Sequence, residues 1–131
     1  HYDIKTASLR GVETVLLVDD DDMLRTMTAK MLQQLGYTVL VAASPQEALD
    51  IVGNNSMQLL ITDVIMPDMN GKSLYLEMLS IIPELRCLFM SGYTSNVIVH
   101  KGIVDEDANF IQKPFNKSSL AKKIREVLDS E

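Results

Sequence analysis

Leu59-Leu60-Ile61-Thr62-Asp63-Val64-Ile65-Met66-Pro67 passes from strand into loop within a few residues. Leu59 to Thr62 are apolar and partly β-branched, the composition of a strand covered by other elements. Asp63 follows directly. Pro67, with Asp68, Asn70 and Gly71 behind it, marks a loop. A carboxylate there stands where the backbone leaves a sheet. In open parallel α/β sheets, ligands bind in the crevice outside the carboxyl ends of the strands. Taken alone, Asp63 could as well be a residue capping a loop. What matters is whether other polar residues fall at the same edge.

The rest of the chain repeats a strand-then-helix rhythm. Thr14 to Val18 is a first apolar strand, and Asp19, Asp20, Asp21 and Asp22 follow it. The next segment is a helix with Leu24, Met27, Met31, Leu32 and Leu35 on one apolar stripe, stopped by Gly36. Thr38 to Ala42 is the second strand. Ser44-Pro45-Gln46-Glu47 opens the second helix with an N-cap, a first-turn proline and a capping-box glutamate. The Asp63 strand is third, and a helix over about 72–82 follows, closed by Pro83. Arg86 to Met90 is the fourth strand, ending at Ser91-Gly92. Residues 93–105 fit a short helix better than a strand. Asn109 to Gln112 is the fifth strand, ending at Lys113-Pro114-Phe115. Asn116 caps a last helix with Leu120, Ile124, Val127 and Leu128 inward. Its Lys122, Lys123 and Arg125 read as a solvated face.

Strand and helix alternating five times predicts one α/β domain. It holds a five-stranded parallel sheet with helices on both faces, in the flavodoxin-like order 2-1-3-4-5. Residues 1–13 show no period and read as a linker or tag remnant before a domain over 14–131. The first residue is His1 and not Met, which reads as a piece of a longer or processed chain.

Composition narrows the function. The 131 residues suffice for a real core, and 47% are hydrophobic. A net charge of −6 and a pI near 4.8 argue against direct nucleic-acid binding. No apolar run approaches the ~18 residues of a membrane span, so no membrane contact is expected of this domain. Cys87 lies alone in an apolar run and reads as a buried thiol in a reducing cytosol, hence a cytoplasmic location.

The strand ends carry the chemistry. The first supplies Asp19 and Asp20, the third Asp63, the fourth Ser91 and the fifth Lys113. The expected topology brings all five to one crevice. Two like charges ~4 Å apart repel by roughly 4 kcal/mol at an effective dielectric of 20. Lys113 offsets part of this, and a hard divalent cation such as Mg²⁺ offsets more. Mg²⁺ works with one or two carboxylates plus a substrate phosphate, which implies a phosphoryl substrate. Asp63 is then the nucleophile. Lys113 neutralises charge on the transferring group, and Ser91 donates a hydrogen bond to it. Singly, each residue has a plainer reading: Asp19 or Asp20 as a helix cap, Ser91-Gly92 as a turn, Lys113 as a solvated lysine. Five together, each at its own strand end, make coincidence a poor account.

VLLVDDDD, LLITDVIMPDMNG, FMSGY and FIQKPF, in this order and spacing, resemble the receiver domain of two-component response regulators over roughly residues 14–129. The resemblance implies that Asp63 accepts a phosphoryl group from a phosphohistidine. It implies Mg²⁺ held by Asp20, Asp63 and the backbone carbonyl of Ile65, with Asp19 holding a metal-bound water. Ser91 and Lys113 would contact the phosphoryl group, and Phe110 would match the aromatic switch position. The partner implied is a histidine kinase or histidine phosphotransfer domain. The wording of the motifs resembles receivers fused behind sensor histidine kinases, which makes this an expected C-terminal receiver of a hybrid kinase. Two other readings stand beside it. Asp19 and Asp21, two apart after a strand, also suit a haloacid-dehalogenase-type phosphatase, although 131 residues is short for that fold. A receiver-like binding module that is never phosphorylated is the third.

Overall fold

The computed structural model describes residues 9–105 and 107–130. Its elements run β1 (Thr14–Val18), α1 (Asp22–Gln34), β2 (Thr38–Ala42), α2 (Pro45–Val52) and β3 (Leu59–Asp63). They continue with α3 (Gly71–Leu79), β4 (Arg86–Ser91), α4 (Ser95–His100), β5 (Phe110–Gln112) and α5 (Lys117–Asp129). The strands form one parallel sheet in the order β2-β1-β3-β4-β5, as the alternation predicts.

Period-two alternation within each strand builds two cores. Leu16, Val18 and Leu60 face α2, α3 and α4, meeting Ala48, Leu74, Met78 and Ile98. Val15, Leu17, Leu59 and Ile61 face α1 and α5, meeting Leu32, Leu120, Ile124 and Val127. All of β3 is buried. It sits mid-sheet, so its last residue, Asp63, emerges at the centre of the carboxyl edge.

Local signals set the helix ends. Asp21, Ser44, Asn70, Thr94 and Asn116 are N-caps, each accepting a backbone N–H from the first turn. Glu47 accepts from the Ala43 N–H at 2.9 Å, while Ser44 Oγ accepts from the Glu47 N–H at 3.2 Å. Gly36 follows α1 with φ 103°, the left-handed conformation glycine adopts without penalty.

Three expectations need correction. The apolar stripe of α1 is buried only in its later turns. Leu32 and Leu35 are core, but Leu24 and Met27 remain exposed, and Thr28 is buried in their stead. Leu24, Met27 and Met31 border an apolar cleft with Pro114 and Phe115, so the first half of the helix faces a groove and not a neighbouring element. Helix α3 stops at Leu79, short of Ile82. The Ile81 and Ile82 N–H groups both turn back to the Met78 carbonyl, and Pro83 disfavours helical geometry in the residue before it. Arg125 is not solvated. It pairs with Glu13 at 2.8 and 3.1 Å and with Asp129 at 2.6 Å, and it donates to Tyr37 Oη at 3.3 Å.

Residues 1–8 of the expected linker lie outside the described residues. Over 9–13 the chain lies against the domain. Leu9 packs on the α1–α5 core, the Gly11 N–H donates to the Leu35 carbonyl at 3.0 Å, and the Thr38 N–H donates to the Glu13 carbonyl at 3.1 Å. Cys87 is buried and free. Among the described residues, no helix is long and apolar enough to cross a membrane.

Candidate functional site

Asp19 is the first residue beyond β1, and three contacts hold it. Its N–H donates to the Ala42 carbonyl at 3.2 Å, its carbonyl accepts from Arg25 at 2.8 Å, and its Oδ1 accepts from the Asp21 N–H at 2.9 Å. This leaves Oδ2 buried with no hydrogen-bond partner among the described residues. Asp20 is exposed beside it. Asp21 is engaged elsewhere, its carboxylate capping α1 by accepting from the Leu24 N–H.

Asp63 ends β3 and is buried. The loop behind it folds back tightly. The Val64 N–H donates to the Met90 carbonyl at 3.0 Å, and the Gly71 N–H donates to the Val64 carbonyl at 2.8 Å. A side chain at Gly71 would collide with the Asp63 carbonyl, so only glycine lets α3 begin directly against the strand end. Beyond β5, the Lys113 N–H donates to the Ser91 carbonyl at 2.8 Å. The Lys113 ammonium pairs with the Asp63 carboxylate and lies 3.6 Å from Asp19 Oδ2. Ser91 is buried at the end of β4, and its Oγ accepts from the Tyr93 N–H at 2.9 Å.

The structure thus brings Asp19, Asp20, Asp63, Ser91, Lys113 and Ile65 to the wall of one cleft of about 290 Å³. Ile65 and Tyr93 stand exposed at its mouth. Phe110 stands apart from the cleft. It starts β5 in register with Phe89 and packs, half-buried, on the α2–α3–α4 core.

Burial and the neighbouring Asp19 push the Asp63 carboxyl up to about 7, against the opposing pull of Lys113. Burial alone would lower Lys113, yet its bond to Asp63 and the Asp19 charge carry it above its ordinary value. The site is therefore short of positive charge. Oxygens of Asp19, Asp20 and Asp63 lie within 4.8 Å of one another. With the orphaned Asp19 Oδ2, this is a set of hard oxygen donors that fits a divalent cation such as Mg²⁺.

Two contributors were not anticipated from the sequence. Arg25 holds the Asp19 carbonyl, and its spacing three residues after Asp22 was the available signal. Gly71 permits the close approach of α3. As a glycine after Asn70 it looked only like a loop marker.

Residues 15–125 match the family described as response regulator receiver domain. The chain is 36% identical over 129 residues to the sensor kinase CckA of Brucella abortus, covering 97% of this chain and 14% of that kinase. It is 28% identical over 117 residues to the response regulator receiver protein CpdR of the same organism, covering 89% of this chain and 98% of CpdR. Among solved structures, the chemotaxis protein CheY4 of Vibrio cholerae superposes with a TM-score of 0.80 at 30% identity, covering 90% of this chain and 100% of that one. The receiver domain of the hybrid histidine kinase CckA superposes with a TM-score of 0.73 at 32% identity, covering 86% and 96%.

Proposed function

Because the chain belongs to the response regulator receiver family of two-component systems, we propose that it accepts a phosphoryl group from a phosphohistidine onto Asp63. An Asp63 carboxylate oxygen attacks phosphorus, the P–N bond breaks, and the imidazole leaves with the electron pair. The product is an aspartyl-phosphate. The observation that carries this reading is the Lys113 ammonium bonded to Asp63, beside a buried Asp19 Oδ2 that has no hydrogen-bond partner.

Each residue then has a role. Lys113 stabilises charge that develops on the phosphoryl oxygens. Ser91 uses its oxygen to accept from Tyr93, so its own hydrogen is available for a phosphoryl oxygen. Asp19, Asp20, Asp63 and the Ile65 carbonyl would hold Mg²⁺, which when bound neutralises the carboxylates and the incoming phosphoryl group. In this reading the domain turns over no external substrate and works in the cytoplasm. The donor is a histidine kinase or histidine phosphotransfer domain. Exposed Met23, Leu24 and Met27 on α1, close to the site, supply an apolar surface on which it can dock. The CckA match supports placement within a hybrid kinase, of which this chain would be one domain. Against a phosphatase with Asp19 and Asp21 as its pair stands the engagement of Asp21 in capping α1.

Incubation with Mg²⁺ and either acetyl phosphate or a phosphohistidine donor tests the proposal. The expected result is one acid-stable, base-labile phosphoryl group, mapped to Asp63. Steady turnover of the donor without accumulation would support a phosphatase. No labelling would support a module that is never phosphorylated.

A further inference from the structure

We propose that Arg25 is a positioning residue for the metal-binding carboxylates, because it holds the peptide that joins Asp19 to Asp20. The inference rests on reading Asp19, Asp20 and Asp63 as a Mg²⁺ site. A plainer account would make Arg25 one half of a weak helical ion pair with Asp22. The geometry goes further than that. Nη2 meets Asp22 Oδ1 at 2.6 Å, but Nη1 turns inward to the Asp19 carbonyl at 2.8 Å. The arginine side chain is only 18% exposed, against 87% for Asp22, so the guanidinium belongs to the turn more than to the surface.

That turn decides where both carboxylates lie. The Asp19 N–H is bound to β2, and Oδ1 is bound to the Asp21 N–H. The Asp19 carbonyl is the remaining handle, and it sets the plane of the peptide from which Asp20 departs. Among the three hydrogen bonds that fix the Asp19 turn, the Arg25 bond alone has a side-chain donor, so it alone can be removed by substitution. The planar fork reaches the carbonyl and Asp22 at once. A lysine carries the same charge but has no such fork.

Charge and position predict opposite signs here. If Arg25 were only a nearby cation, its removal would strengthen Mg²⁺ binding by relieving repulsion of the ion. If it positions the ligands, removal weakens binding despite the lost positive charge. Partners that orient metal ligands typically matter by 10- to 100-fold in affinity.

The test is a titration with Mg²⁺ alone, in the absence of any phosphodonor, followed through the amide NMR shifts of Ser91 and Gly92. Arg25→Gln is expected to weaken binding about tenfold, and Arg25→Lys to fall nearer Arg25→Gln than wild type. Asp22→Asn keeps the Asp19 bond and should change affinity by less than about twofold. Unchanged or tighter binding in Arg25→Gln overturns the inference, as does a wild-type affinity in Arg25→Lys. Arg25→Lys retains the charge and the helical stem, and so serves the same test if Arg25→Gln fails to fold. If wild type itself binds no Mg²⁺, the reading of the site falls and the inference with it. Binding in wild type that withstands Arg25→Gln removes the inference alone.

Discussion

The proposed reaction sets opposing demands on Asp63. As a nucleophile it would have to be ionised, yet burial and Asp19 favour its protonated form. Asp63→Asn should abolish labelling while keeping the fold, since the amide is nearly isosteric but a poor nucleophile. In metal-free buffer at neutral pH its thermal stability should equal or exceed wild type, because one member of a repelling cluster is gone. Full labelling at another residue would refute the assignment. The acidic run divides in the same way. Asp20→Ala should weaken Mg²⁺ binding with little effect on stability. Asp21→Ala should cost about 1 kcal/mol through the lost cap and leave Mg²⁺ affinity nearly unchanged. Equal effects of the two on affinity, measured by titration beside urea melts, would mean the run acts as a diffuse field. The sequence placed Asp19, Asp20, Asp63, Ser91 and Lys113 at strand ends because strand periodicity and turn residues are local signals. It offered Asp19 or Asp20 as the plainer helix cap, whereas Asp21 is the cap, a choice that depends on the turn between them. The spacing of Arg25 after Asp22 hints at a helical ion pair, but its bond to the Asp19 carbonyl depends on the fold of that same turn.

At the scale of elements, the interlock between residues 9–13 and α5 is the feature composition concealed. Gly11 and Gly36 face one another, and a side chain on Gly36 would strike the Gly11 carbonyl. Arg125 closes the contact through the Glu13 carboxylate. On a helical wheel Arg125 is an ordinary polar residue, and a short segment before the first strand has no period to read. Only the fold makes them neighbours, 112 residues apart. The guanidinium beside Glu13 holds its carboxyl below the ordinary glutamate value. A depressed carboxyl pKa adds stability that is complete above the unfolded-state value of ~4.3 and is lost as pH falls through the folded value. Arg125→Met should therefore cost about 1 kcal/mol at pH 7, typical of an ion pair that water still reaches. That gap should narrow toward zero as the pH falls through the depressed folded-state values of Glu13 and Asp129. Urea melts of both proteins across this range are the check. A gap that is the same at pH 7 and pH 3 would assign the loss to packing of the arginine stem on Tyr37.

For the whole molecule, the strand order decides how far an event at Asp63 can reach. Alternating strands and helices made that order legible, since few topologies satisfy five β–α units with both sheet faces covered. The use of each face was not legible, because α4 is a short helix with Ile98 alone fully buried. Order β2-β1-β3-β4-β5 places Ser91 on the strand next to that of Asp63 and Phe110 one strand further out, next to the α4 side of the core. Ser91 Oγ accepts from the Tyr93 N–H in the present state. In the proposed switch the hydroxyl would turn toward a phosphoryl oxygen, releasing that bond and opening space on the β4–β5 side of the sheet. Phe110, half-buried at the margin of the core, can turn into it. A shift between two states requires a contact that differs between them, and a Ser91–phosphoryl bond would be that contact. Phosphorylation in Mg²⁺ should therefore move the NMR signals of the Tyr93 amide and the Phe110 ring together, along with α4. Signals of β2, at the far edge of the sheet beyond β1, should stay in place. Ser91→Ala should still be labelled on Asp63, more slowly, but without the Phe110 shift. Movement of the ring in phosphorylated Ser91→Ala, as large as in wild type, would show that Phe110 answers to something other than the serine hydroxyl. An unmoved ring in phosphorylated wild type would make it simply part of the core.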